Sequence, residues 1–238
     1  MSQDWDGFKR VVESRRSVRV YDGTPMPESA VQECLDMALL APNSSNLQPW
    51  VFYWVRDLDK RKKLVEACLS QPTAKTAAEL IVLVARTGTW RENARRMLAK
   101  LSEGDQQVPD YAKNYYSKVL PIFMTQGPFS ILGHLKKIGV SIAGIFRPIP
   151  REPMNRGDVK IWAVKSTALA AQSLMLAARA RGFDSCPMEG FDSFRVRALL
   201  NLPSDAVITM IISLGKRAPN GIYGPRLRFD RSEFVKIV

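Results

Sequence analysis

The chain has 238 residues, of which 46% are apolar and 24% charged, with 14 glycines in no regular period; this excludes a disordered tail protein and a collagen-like one and suits a single domain over 1–238. Lys and Arg number 35 against 23 Asp and Glu, a formal net charge of +12, so an anionic partner is expected: nucleic acid, a membrane surface or a phosphorylated small molecule. Cys34, Cys68 and Cys186 are too scattered for a disulfide framework or structural zinc, and His134, the single histidine, rules out H-E-x-x-H.

In chain order, residues 4–14 read as a short helix with Asp4 or Asp6 at its start. Pro25 and Pro27 keep the next segment extended, and 28–40 form a helix that Pro42 ends. Strands are expected at 50–55, 80–85 and 206–214, as short apolar runs covered on both faces. Residues 57–68 read as a basic surface helix and 91–101 as another. Residues 162–181 form the strongest helix, apolar nearly all round and stopped by Gly182, which suits a central position or a subunit interface. A further short helix covers 194–200.

The region at about 87–160 reads differently from the rest and is expected to be an insert or cap. Within it, 127–150 is amphipathic: Ile131, Leu132, Leu135, Ile138, Ile142, Ile145 and Phe146 share one helical face, while His134, Lys136, Lys137 and Arg147 fall on the other. Pro128 is expected to open this helix and Pro148 to close it. An N-terminus that carries acids is no signal peptide, and no stretch of about 20 residues is free of charge, so no spanning helix is expected and the cytoplasm is the default address.

Four motifs carry chemistry. Arg15-Arg16-Ser17-x-Arg19 puts three guanidinium forks and a hydroxyl within reach of one phosphate. The run from Ala41 to Trp50, with Pro42, Asn43, Ser44, Asn46 and Gln48, can hydrogen-bond the edge of a heteroaromatic ring. Pro187-Met188-Glu189-Gly190 can present backbone N–H groups to a planar ligand. Arg226 and Arg228, two residues apart on an extended segment, point to one side and could meet the same phosphate. Each has a plainer reading as a solvated turn or an ordinary loop.

In this order and spacing the four motifs resemble the nitroreductase family of FMN-dependent oxidoreductases, whose pattern reads R-R-S-x-R, A-P-S-x-x-N-x-Q-P-W, P-x-E-G-F and a C-terminal K/R-x-R. The resemblance implies an α+β fold, a mixed sheet flanked by helices in an intertwined homodimer. It implies FMN as cofactor and NAD(P)H as co-substrate. Arg15, Arg16, Ser17 and Arg19 would hold the FMN phosphate and ribityl chain, with Arg226 and Arg228. Pro42, Asn43, Ser44, Asn46 and Gln48 would reach the flavin from the partner subunit, with Asn43 where the family has Ser. Pro187, Met188, Glu189 and Gly190 would sit at flavin N5, with Gln71 as a further contact and Lys75 as a candidate near N1. The tail, 232–238, could cross onto the partner as a strand. Because FMN carries the chemistry, no catalytic side chain and no metal is expected.

The activity so implied is hydride transfer from NAD(P)H through the flavin to nitroaromatic or quinone-type acceptors by a ping-pong route. The alternative within the fold is a specialist: a flavin destructase, a dehalogenase or a dehydrogenase. The alternative from another class is an anionic-membrane or nucleic-acid binder, resting on the +12 charge, the Arg91, Arg95 and Arg96 cluster and the 127–150 helix. Against it, a basic surface with that helix packed on its own subunit is the preferred account. No nucleic acid is expected as partner, and peripheral membrane contact through 127–150 is the lesser reading. The helix itself is expected to lie outside the main core.

Overall fold

The computed structural model describes residues 2–103, 107–127 and 131–238, without the His134 side chain. Pro128, expected to open the amphipathic helix, lies outside the described residues, as does the expected role of the His134 side chain. The chain begins with α1 (Gln3–Ser14), capped by the Ser2 hydroxyl, which accepts from Trp5 N–H, with Asp4 and Asp6 in its first turn. Next come α2 (Glu28–Leu39), β1 (Trp50–Trp54), α3 (Leu58–Ala67), α4 (Pro72–Lys75) and β2 (Glu79–Arg86). The stretch that follows is helical: α5 (Trp90–Leu101), α6 (Asp110–Asn114), a π-helical turn (Tyr115–Val119), α7 (Leu120–Met124) and α8 (Ile131–Phe146). The chain closes with α9 (Arg156–Ala180), β3 (Asp184–Met188), α10 (Ser193–Leu199), β4 (Ala206–Gly215) and α11 (Arg231–Phe234).

The strands form one sheet in the order β1-β2-β4-β3 with antiparallel neighbours. The parallel component is an isolated bridge between Ser17 and Ser185. Alternation along β2 explains the continuous apolar run. Leu80, Val82 and Val84 pack on one side with α3 and α10, and Ile81 and Leu83 on the other with α2 and α9. Each such fully buried side chain contributes about 1.5–3 kcal/mol. Thus the sheet is a rigid platform with helices on both faces, and the motifs sit at its rims.

α9 starts at Arg156, earlier than expected, because Asn155 and Asp158 form a reciprocal capping box. By length and hydropathy α9 could pass as a membrane span. Ala163, Ala170, Ala171, Leu174 and Ala178 are nevertheless fully buried, so it is the core helix. Its other side, with Ile161 and Leu169, is exposed, so one face of this nearly all-round apolar helix is covered within the chain and the other is not.

Three expectations are corrected. β3 was not expected as a strand. The tail from Arg231 to Phe234 is a helical turn rather than a strand, because Asp230 accepts from Ser232 N–H at 2.8 Å and caps it. Finally, α8 does not pack its apolar face on its own chain; those side chains point outward.

A buried polar network pins the Arg15–Arg19 segment to the sheet. Thr73 Oγ1 donates to the Val18 carbonyl at 2.9 Å and lies 2.9 Å from Ser213 Oγ. Tyr21 Oη donates to the Ser213 carbonyl at 3.0 Å and lies 2.8 Å from Ser213 Oγ. Burial pushes the Tyr21 phenol well above its usual range, so it stays protonated and donating. Thr73→Val keeps the shape but strands the Val18 carbonyl. We expect a loss of about 1–3 kcal/mol, read from denaturant midpoints; an unchanged midpoint would make the network dispensable.

Candidate functional site

The Arg15–Arg19 segment leaves α1 and runs beside β3: Val18 N–H donates to the Ser185 carbonyl at 3.1 Å. The C-terminal segment returns across it, with Arg19 N–H donating to the Gly221 carbonyl at 2.7 Å. The result is a cavity of about 190 Å³ lined by Arg15, Arg16, Ser17, Pro225, Arg226, Leu227 and Arg228. Sequence positions more than 200 apart thus meet, as the motif reading expected. Arg19 is exposed and is not among the lining residues.

Electrostatically the cavity is strongly cationic. Arg15 Nη1 is buried with no hydrogen-bond partner. Burial first, then the neighbouring Arg226 and Arg228, hold the Arg15 pKa below its ordinary value. None of these arginines makes an ion pair among the described residues. Arg16 donates to the Gly224 carbonyl at 2.5 Å, and Arg226 to the Glu13 carbonyl at 3.0 Å and to that of Arg15, so both also tie the tail down. Converging cations with an orphaned buried donor fit a bound anion with several acceptor oxygens.

The Pro187–Gly190 segment ends β3. Pro187 and Met188 pair with Ile212 and Ile211, while Glu189 and Gly190 lie exposed past the strand end. Gln71 joins it: Nε2 donates to the Gly190 carbonyl at 2.7 Å and to the Cys68 carbonyl at 3.1 Å. Just before it, Leu69 and Ser70 adopt left-handed φ of 57° and 50°, a conformation costly for residues other than glycine. Lys75, at the exposed end of α4, lines a different hollow with Arg61, Lys62 and Ser70.

The 42–48 loop is built elsewhere. Ser45, Asn46 and Gln48 have φ of 58°, 48° and 45°, strain held in place by buried Leu47 and by side-chain bonds. Asn43 Oδ1 accepts from Gln48 N–H at 2.7 Å, and Asn93 Nδ2 donates to the Leu47 carbonyl at 2.8 Å. Tyr116 Oη donates to the Ser45 carbonyl at 2.9 Å, and Tyr115 Oη lies 2.5 Å from Ser45 Oγ. Asn43 therefore organises the loop, and Pro42 and Ser44 stay exposed. A cavity of about 280 Å³ beside it is lined by residues that include Asn46, Gln48, Asn93, Arg96, Met97 and Lys100. It shares no lining residue with the arginine cavity.

Sequence reasoning missed Ser185, whose buried Oγ has no hydrogen-bond partner beside the Ser17 bridge. It also missed Thr73, Tyr21 and Ser213. No motif flags these positions; they read as ordinary strand and turn residues. No cluster of metal-ligating side chains occurs among the described residues.

The Nitroreductase family matches residues 12–216. A protein of Thermus thermophilus named NADH dehydrogenase is 31% identical over 217 residues, 91% of this chain and 90% of its own. A nitroreductase-like protein of Streptococcus mutans has the same fold, with a TM-score of 0.74 at 20% identity over 98% of this chain and 99% of that one. So does a nitroreductase-family protein of Exiguobacterium sibiricum in complex with FMN, with a TM-score of 0.67 at 22% identity over 97% of each chain. The chain belongs to the nitroreductase family. It is an enzyme, an oxidoreductase of the FMN- and NAD(P)H-using class.

Proposed function

We propose that the chain passes reducing equivalents from NAD(P)H to nitroaromatic or quinone-type acceptors in two alternating half-reactions, as a homodimer. FMN supplies the hydride-carrying ring that amino-acid side chains lack. Arg15, Arg16, Ser17, Arg226 and Arg228 would hold its phosphate, with Arg19 at the outer edge. Pro187, Met188, Glu189 and Gly190 would border the ring, with Gln71 fixing Gly190. Pro42, Asn43, Ser44, Asn46 and Gln48 would serve the partner's site.

The observation that carries this reading is the orphaned Arg15 Nη1 among Arg226 and Arg228, in an arginine-lined hollow of about 190 Å³ with no acid in its lining. The 87–160 excursion supports the second half of the site. Trp90, Ala94, Leu120 and Met124 pack with Leu47, and Tyr115 and Tyr116 bind Ser45. We read that excursion as the buttress and cap of the loop within one domain.

The test is spectroscopic. Protein refolded with FMN should show flavin absorbance that NAD(P)H bleaches, and an added quinone or nitroarene should restore it. Initial rates against both substrates should give parallel double-reciprocal lines. Recovery of protein without flavin after reconstitution would overturn the assignment.

A further inference from the structure

The 41 residues from 111 to 151 contain no Asp or Glu, but they contain Lys113, Lys118, Lys136, Lys137, Arg147 and Arg151. Half of the chain's +12 therefore sits in one acid-free excursion. α8 lies inside it, and its orientation is inverted relative to an ordinary surface helix.

The helix leans on its own chain through its small and polar side. Gly133 lies under the Met154 carbonyl and Gln126, where a Cβ would collide, and Gly144 sits against the Arg151 guanidinium. Lys136 points inward: its Nζ donates to the Ile122 carbonyl at 2.6 Å, to that of Phe123 at 3.3 Å and to that of Thr125, satisfying carbonyls at the end of α7. The large apolar side chains are left facing out. Ile131, Leu135, Ile138, Ile142, Ile145 and Phe146 are 57–83% exposed along one stripe of a helix about 24 Å long. A stripe this continuous is unusual on a surface that meets only water.

Charge decides what covers it. A second copy docked here would bring two acid-free basic excursions together, and like charges across an interface oppose association. A nucleic acid would take the charge but leave the aliphatic stripe wet. An anionic bilayer takes both, since its headgroups attract Lys and Arg while the boundary of the acyl region receives the Ile, Leu and Phe side chains. We propose that α8 is an in-plane membrane helix that docks the enzyme on anionic lipid surfaces.

The experiment uses the full-length protein and floats it with vesicles of phosphatidylcholine alone or mixed with phosphatidylglycerol. Wild type should float with the mixed vesicles and hardly with the neutral ones, and high salt should release it. The pair Ile138→Ser and Ile142→Ser, which alters only exposed positions, should lower partitioning at least about tenfold. The pair Lys137→Gln and Arg147→Gln should lower it by about fivefold per charge and leave the apolar stripe intact, which keeps the test decisive if the serine pair misfolds. Wild type that stays at the bottom with mixed vesicles, or substituted proteins that float like wild type, would overturn the proposal. So would a serine pair that sediments as a smaller species than wild type, which would assign the stripe to a second copy.

Discussion

Arg15→Ala should release FMN while leaving the fold intact, with the dissociation constant rising about tenfold to hundredfold. A charge-assisted hydrogen bond to phosphate contributes about 1.5–3 kcal/mol, and each 1.4 kcal/mol is tenfold in affinity. The buried Nη1 of Arg15 has no protein partner to lose, so its removal costs little in the apo state and much in the loaded one. Arg228→Ala should behave alike, because its recorded bond is to the adjacent Leu227 carbonyl. Arg226→Ala should differ: its guanidinium also holds the Glu13 and Arg15 carbonyls, so tail docking and affinity should fall together. Titration of apo protein with FMN, followed by flavin fluorescence, separates the two patterns from thermal stability. Equal affinity in wild type and Arg15→Ala would remove the arginine cavity from the cofactor site.

The meeting of the two arginine segments was legible because it depends on residue type at fixed spacing. Arg15, Arg16 and Ser17, and Arg226 with Arg228, announce themselves in sequence, and the structure brings both sets to one cavity. β3 was hidden because Asp184-Ser185-Cys186-Pro187-Met188 lacks the β-branched and aromatic signal. Its place at the end of the strand order tolerates Pro187, which cannot donate to a ladder. The orientation of α8 was hidden for another reason. Periodicity identifies an apolar stripe but not whether the stripe or its opposite faces the body. Here Gly133, Gly144 and the inward Lys136 settle that, through close backbone approach and buried carbonyls that only the folded chain supplies. At the tail, the β-branched residues Val235, Ile237 and Val238 suggested a strand, yet the local Asp230 cap winds Arg231–Phe234 into a helical turn, and residues 235–238 follow it outside any helix or strand of this chain.

The arginine cavity and the cavity beside the 42–48 loop share no lining residue within a chain, and the proposed site therefore gives a prediction that a single subunit could not satisfy. If each site takes its arginines from one protomer and its 42–48 loop from the other, chains carrying Arg15→Ala and chains carrying Asn46→Ala should each be poor enzymes alone. Arg15 lines the arginine cavity, while Asn46 lines the cavity beside α5 and accepts from Gln48 Nε2 at 3.4 Å, so the two substitutions damage different halves. Unfolded together and refolded with FMN, they should form heterodimers with one intact site and one doubly damaged site. Random pairing makes half of the dimers mixed, so the mixture should recover about a quarter of wild-type flavin content and NAD(P)H turnover. The exposed face of α9, with Ile161 and Leu169 on the outside of an otherwise buried helix, is the surface we expect the pairing to cover. Recovery no greater than the average of the two parents would mean that each chain builds its site alone, and so would a monomer in sedimentation that still turns over NAD(P)H. Either result would require the 42–48 loop and the arginine cavity to serve different ligands.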